Sequence, residues 1–206
     1  MDHPLLIATY NKGKVAEYRS LLADLPLAVT WLDEVGVSED VEETEDSFQG
    51  NAILKARHYA GLTGLWTWAD DSGLEIDALN GRPGVHSARY GGPGASDADK
   101  YYKVLREMAD VPDAQRTARF RCVVALAQPG GRVETSDGRL EGMIAREPQG
   151  SQGFGYDPIF YIPSFGATLA ELGRGVKNEI SHRAEAAAKA RLLLARMVAQ
   201  AEGNEE

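Results

Sequence analysis

The feature that most constrains this chain is how its short apolar runs end. Leu5-Leu6-Ile7-Ala8 stops at Thr9-Tyr10-Asn11-Lys12-Gly13-Lys14, and residues 65–69 stop at Asp70-Asp71-Ser72-Gly73. Short continuous apolar runs read as strands buried on both faces, which need helices to cover them. Those helices are legible. Val15, Tyr18, Leu21 and Leu22 fall at i, i+3, i+6 and i+7, and residues 48–62 read as a helix capped by Ser47. Ser96 caps another, running to about residue 108. The alanine-rich run over residues 181–201 predicts a long last helix, with Ser181 as its cap and Gly203 as its stop. Residues 27–32 read as a further strand. Residues 118–128 and 132–135 read as strands around the turn Pro129-Gly130-Gly131, and Asp137-Gly138 predicts a further hairpin into residues 140–145. Glycine and proline in Gly81-Arg82-Pro83-Gly84 and Gly91-Gly92-Pro93-Gly94 mark turns. Strand–helix alternation followed by hairpins predicts an α/β fold, a mixed twisted sheet with flanking helices.

Composition narrows the function. The 206 residues suffice for one large domain, or two small lobes sharing a core, without disulfides. The net charge of −9 argues against coating a nucleic acid polymer, yet a local lysine cluster can still hold one small phosphate compound. The single cysteine, Cys122, lies in the apolar run Cys122-Val123-Val124-Ala125-Leu126 and reads as a buried thiol in a reducing compartment. Met1-Asp2-His3-Pro4 lacks the pattern of a signal peptide, and no apolar run approaches the ~20 residues of a membrane span. The expectation is a cytoplasmic protein with no membrane and no nucleic acid partner.

Four polar clusters stand at the ends of apolar segments, where α/β proteins bind ligands. Thr9 to Lys14 joins a strand to a helix start, where backbone N–H groups and two lysines favour an anion, although the glycine spacing of a Walker A loop is absent. Asp70-Asp71-Ser72-Gly73 offers two carboxylates before a tight turn. It suits a hard divalent cation, or a carboxylate that takes a proton from water, or simply a capped turn. If the strand continues to Asp71, the two side chains point to opposite faces. The acidic run around Glu42 and Glu43 is an ordinary solvated loop, or the source of a second metal carboxylate. Gly153-Phe154-Gly155-Tyr156-Asp157-Pro158 permits close approach to a flat ring, with Phe154 available for stacking or for the core. Lys177, Asn178, Ser181, His182 and Arg183 add donors further on.

Together these segments resemble the non-canonical purine nucleoside triphosphate pyrophosphatases, the inosine triphosphatase-like family. The matching stretches are residues 7–14, Asn51-Ala52-Ile53-Leu54-Lys55-Ala56, residues 69–74, residues 83–90, Phe154-Gly155-Tyr156-Asp157-Pro158 and Ser181-His182-Arg183, all in the family's order. The resemblance implies a single domain over residues 1–206, two-lobed around a central active-site cleft. It also implies a homodimer, Mg²⁺ dependence, and hydrolysis of ITP, dITP and XTP to the monophosphate and pyrophosphate. It makes Asp71 the proton acceptor and a metal ligand, and Glu42 the second metal carboxylate, with Glu43 its neighbour. Thr9, Tyr10, Asn11, Lys12, Gly13 and Lys14 would hold the triphosphate, Lys55 would add charge there, and Ser72 would touch substrate. Phe154, Gly155, Tyr156, Asp157, Lys177, His182 and Arg183 would surround base and sugar. The chain departs from the family pattern at Tyr10, where a smaller residue is usual, and at Gly173-Arg174-Gly175-Val176. It departs again at Glu45, where glycine is common, and at Gly50, where glutamate is common. The competing readings are a relative acting on pyrimidine or modified nucleotides and a nucleotide sensor without turnover. A dehalogenase-type phosphatase fits worse, because no aspartate stands two residues after the nucleophile candidate.

Overall fold

The computed structural model describes residues 4–202, so Gly203 lies outside the described residues. The strands are β1 (Leu5–Ile7), β2 (Val29–Trp31), β3 (Thr67–Ile76), β4 (Thr117–Ala127), β5 (Val133–Ile144), β6 (Phe160–Ile162) and β7 (Ala167–Thr168). The α-helices are α1 (Lys12–Leu21), α2 (Phe48–Thr63), α3 (Asp97–Glu107), α4 (Arg174–Ile180) and α5 (His182–Glu202). All seven strands form one sheet in the order β2-β1-β3-β4-β5-β6-β7. β1 runs parallel to β2 and β3, whereas β6 runs antiparallel to β5 and β7. The sheet is mixed, as the strand–helix alternation and later hairpins imply. Among the described residues no helix is long and apolar enough to cross a membrane.

Local signals set several boundaries. Ser47 Oγ accepts from Gly50 N at 3.0 Å to open α2, and Gly64 closes it at φ 69°, a conformation that costs other residues more. Ser96 and Asp99 form a reciprocal capping box at α3. Ser181 stands in extended conformation immediately before α5.

Two expectations fail. Asp70-Asp71-Ser72-Gly73 is not a turn, because β3 runs straight through it. Its carboxylates find partners on both faces of the sheet, so turn chemistry never has to satisfy them. Asp137-Gly138 is not a hairpin, because β5 is continuous from Val133 to Ile144. Ser136 Oγ donates to Ala186 O at 2.9 Å and Lys189 Nζ donates to Asp137 O at 2.8 Å. These bonds from α5 hold the segment extended against its local preference. β6, β7 and α4 were not anticipated. At 3, 2 and 7 residues they are too short to display a period.

The chain divides into two compact units, each with its own core. The first takes the chain up to Asp71, Cys122–Gly138 and the chain from Arg183 onward; the second takes Ser72–Arg121 and Arg139–His182. In the first, Leu5, Ile7, Tyr18, Trp68, Val124 and Leu126 pack with Ala186, Ala187, Ala190, Leu194 and Met197 of α5. The alanines let that helix lie close on the strands. Tyr18 meets Trp68 edge-on with centroids 5.7 Å apart. Cys122 is fully buried here, and burial pushes its thiol up to about 12, the inert state expected of it. In the second unit, Leu74, Ile76, Val104, Met108, Phe120, Ile144, Phe160 and Ile162 form the core. Each fully buried large side chain contributes about 1.5–3 kcal/mol relative to exposure.

Candidate active site

The site in the first unit is built on β3. Strand geometry turns Trp68 and Asp70 to one face and Ala69 and Asp71 to the other. Both carboxylates are buried, at 2% and 5% exposure. The parallel register Leu6↔Thr67, Ile7↔Trp68 delivers the end of β1 beside Asp70. The chain then turns at Thr9, whose Oγ1 accepts from Asn11 N at 3.2 Å. Asn11 caps α1 by accepting from Lys14 N at 3.0 Å. The loop is thus shorter than expected, because Lys12, Gly13 and Lys14 already form the first turn of α1. That turn points Lys14 Nζ at Asp70 Oδ2, 2.8 Å away.

Asp70 is locked from a second direction. Arg183, near the start of α5, lies 3.6 Å from Asp70 Oδ2 and donates to Glu17 of α1 at 2.5 Å. Cys122 Sγ lies 3.7 Å from the same oxygen. Burial alone would raise the Asp70 pKa, but Lys14, Arg183 and Lys55 outweigh it and hold the carboxyl well below the usual carboxylate range. Asp70 is a fixed anion.

Asp71 meets different company. Its Oδ1 lies 3.3 Å from Lys55 Nζ and its Oδ2 accepts from Asn51 Nδ2 at 3.2 Å, both from α2. Lys55 also donates to Glu43 Oε1 at 2.6 Å. Burial raises the Asp71 pKa, and the charges of Glu43 and Asp70 add to this against Lys55 and Lys14. Burial would lower Lys55, but Asp71, Glu43 and Asp70 reverse that and keep its ammonium charged. A carboxylate held against its preference for protonation is a ready proton acceptor.

Around this pair the expected residues divide. Tyr10 turns its hydroxyl outward to Val37 O at 2.9 Å and Glu39 O at 3.2 Å. Lys12 is exposed at the N-terminus of α1. Glu42 is exposed, whereas Glu43 is half-buried and faces Lys55. For Mg²⁺, the test is the donor set. Among the described residues no three His, Cys, Asp or Glu side chains gather into a cage. Asp71 and Glu43 nevertheless converge on one cationic point, Lys55 Nζ, at 3.3 and 2.6 Å. Two carboxylates fit Mg²⁺, which takes one or two of them together with waters and substrate phosphates.

The second unit carries the remaining expected residues. Asp157 Oδ2 accepts from Phe154 N at 2.9 Å and from Lys177 Nζ at 2.5 Å. A Cβ on Gly153, which has φ 81°, would lie 2.0 Å from that oxygen, so only glycine allows the loop to fold over Asp157. Gly155 N donates to Asp97 Oδ2 at 2.7 Å. Lys177 Nζ lies 4.6 Å from the half-buried Phe154 ring. Tyr156 is buried and donates to Ser87 O at 2.8 Å. His182 is buried and stacks on Phe120, with centroids 4.7 Å apart and planes 12° apart. Ser72, the first residue of this unit, is half-buried.

Sequence reasoning gave no role to Asn51, Glu17 or Asp97, and weighed Asp70 only as one of two candidate carboxylates for a cation or a proton. One signal was available. Phe48, Asn51, Ala52, Lys55, Ala56, Tyr59 and Ala60 are the buried stripe of α2, and Asn51 and Lys55 are its two polar members. Buried lysines are rare unless paired, so such an interruption marks a site.

Comparison with known proteins identifies the family. The family model described as the Ham1 family matches residues 5–192. A dITP/XTP pyrophosphatase of Bacillus subtilis (strain 168) is 48% identical over 189 residues, 92% of this chain and 96% of that protein. One from Shigella flexneri is 50% identical over 184 residues, 88% of this chain and 93% of that protein. The solved structure of a HAM1 protein from Coxiella burnetii superimposes with a TM-score of 0.85 at 46% identity, covering 94% of this chain and 98% of that one. With matches that span nearly its whole length, the chain belongs to the Ham1 family.

Proposed function

We propose that this protein is a Mg²⁺-dependent nucleoside triphosphate pyrophosphatase that converts ITP, dITP and XTP to the monophosphate and pyrophosphate. One observation carries the mechanism. Two adjacent carboxylates on β3 keep different company: Asp70 lies against both Lys14 and Arg183, whereas Asp71 shares the one Lys55 ammonium with Glu43. Such a split separates a structural anion from a general base. The names of the relatives support the substrate class.

In this reading Asp71 accepts the proton of the attacking water as the bond between the α- and β-phosphates breaks. Lys14, Lys55 and the N-terminus of α1 at Lys12 and Gly13 offset the charge of the triphosphate and of leaving pyrophosphate. Thr9, Tyr10 and Asn11 shape the loop that holds it. Asp71 and a carboxylate of the Glu42-Glu43 pair hold Mg²⁺, and separate Glu42→Gln and Glu43→Gln variants assign which. Held by those carboxylates, a divalent ion would supply charge neutralisation for the phosphates and a more acidic water.

In the second unit, Phe154 stacks on the base, and Gly155, Tyr156, Asp157 and Lys177 shape its loop. Ser72 touches substrate. A 6-keto oxygen accepts a hydrogen bond, whereas the 6-amino group of adenine would face a donor with a donor and be rejected. Arg183 or His182 supplies the donor for the keto oxygen; the Arg183 guanidinium also pairs with Glu17 and Asp70. A homodimer acting on the cytoplasmic nucleotide pool completes the proposal.

The test is pyrophosphate release from ITP, dITP, XTP, GTP, ATP and dTTP, with and without Mg²⁺. Metal-dependent release from the first three, lost in Asp71→Asn, is the expected result. Turnover of dTTP alone moves the assignment to pyrimidine nucleotides, and binding of ITP without release under any divalent metal removes the mechanism.

A further inference from the structure

Residues 38–45 carry Glu42 and Glu43 but form neither helix nor strand. An irregular acidic segment repels itself and needs fixing from outside. At its front, Tyr10 donates to Val37 O and Glu39 O at 2.9 and 3.2 Å. Tyr59 of α2 donates to Glu39 O at 3.2 Å and to Asp40 Oδ1 at 3.3 Å. At its rear, Asn51 accepts from Glu45 N at 3.0 Å and donates back to Glu45 O at 3.2 Å. The same Nδ2 donates to Asp71 Oδ2 at 3.2 Å.

Asn51 is fully buried, and only a primary amide offers one acceptor and two donors in that fork. An aspartate there would keep the bond from Glu45 N but would place an acceptor against the Glu45 carbonyl and the Asp71 carboxylate. The neighbouring position adds a second, steric fastening. A Cβ on Gly50 would lie 2.7 Å from Glu45 Cβ and 2.9 Å from its Cγ, so the Glu45 side chain lies where only a hydrogen fits. The long side chain of Glu45 and the missing side chain of Gly50 thus complement each other. Between the front and rear pins, Glu43 reaches Lys55 at 2.6 Å.

We propose that residues 37–45 are a strap pinned at both ends, that Asn51 is the positioning residue tying the rear pin to Asp71, and that the Glu45–Gly50 fit keeps that pin closed, so that Glu43 and Asp71 are presented together to Lys55. The catalytic half of this statement rests on the reading of Asp71 as proton acceptor. The strap itself does not.

Two readouts separate the two. Hydrogen–deuterium exchange of peptides covering residues 37–46 reports the strap, and kcat and KM for pyrophosphate release from XTP report its consequence. Asn51→Asp should raise exchange about tenfold, the loss of roughly one hydrogen bond's protection. It should lower kcat about tenfold or more while KM stays within about threefold, as for a displaced catalytic group. Gly50→Ala leaves Asn51 intact and introduces the better helix former, so a loss there is not a loss of helix. It should raise exchange and lower kcat in the same way, and adding Glu45→Gly should restore both. Tyr59→Phe should raise exchange at the front of the strap, around residues 39–40, and leave the exchange of residue 45 unchanged, since the rear pin runs through Asn51. If Asn51→Asp fails to fold, Gly50→Ala and its rescue decide. Unchanged exchange in Gly50→Ala, or a kcat defect that Glu45→Gly does not repair, overturns the steric pin. Faster exchange with full kcat overturns the coupling to Asp71. Wild-type turnover by Asp71→Asn overturns the reading of Asp71, while the exchange data still judge the strap.

Discussion

On one face of β3, Asp70 lies among Lys14, Arg183 and Cys122, with Glu17 closing the network. On the other, Asp71 shares a single ammonium with Glu43 and takes one hydrogen bond from Asn51. The residues are adjacent, equally acidic in isolation and both buried. The difference lies in the count of charges around them. Asp70 has cations in excess, so ionisation stabilises the fold. Asp71 has one near cation and two other carboxylates, so ionisation there works against the fold and toward reactivity. Two aspartates one peptide bond apart are thus distinguished by their surroundings.

The largest effect expected from breaking this contrast is on turnover. Asp71→Asn should lower kcat by roughly a thousandfold or more, the scale of a lost general base near a metal. The same variant should melt at or slightly above the wild type, by about 2 °C, because it removes a charge the site disfavours. A fall of several degrees would mean that Asp71 supports the fold as Asp70 does. Asp70→Asn should do the reverse in kind. It leaves Arg183 and Lys14 short of a buried counter-charge, a loss of about 3–5 kcal/mol that denaturant titration would register. A silent Asp70→Asn would end the distinction between the two faces.

Stability against pH sharpens the comparison. The folded pKa of Asp70 lies below its unfolded value, so its contribution is present above the ordinary carboxylate pKa of 3.8 and fades as pH falls toward the folded value. For Asp71 the folded pKa lies above 3.8, so its ionisation costs stability as pH rises through that window. In the metal-free protein, Lys55→Met removes the cation nearest Asp71, so the window over which stability falls with rising pH should extend to higher pH. A window left in place by Lys55→Met would show that Asp71 is not the group it reports. The smallest effect belongs to the second unit, where Phe154→Ala should raise KM for XTP about tenfold with kcat largely kept, the value of one stacked ring.

Parts of this were open to reading and parts were not. Ser47 and the stripe from Phe48 to Ala60 fixed α2 within a residue of its observed end, because capping and helical period are local properties. The alternation that would separate Asp70 from Asp71 was foreseen only on condition that the strand continued. Whether it did depended on Lys14, Lys55 and Arg183 arriving from three distant segments. Asp137-Gly138 misled, because a favourable turn dipeptide yields to bonds from α5 that no nearby residue announces. Glu42 was named as the second metal carboxylate. Its neighbour Glu43, the alternative beside it, is the one paired with Lys55, a contact between segments that no local pattern announces.

The sequence by itself determined the class of fold, the helices with their caps, and the short ordered motifs that identify the family, since these depend on residues close together along the chain. Only the tertiary structure decided which of two neighbouring aspartates is held as an ion and which is left ready to take a proton. That outcome depends on charge and burial supplied from residues up to 113 positions away, the separation of Asp70 from Arg183, and Coulomb energy in a buried site is set by distance in space.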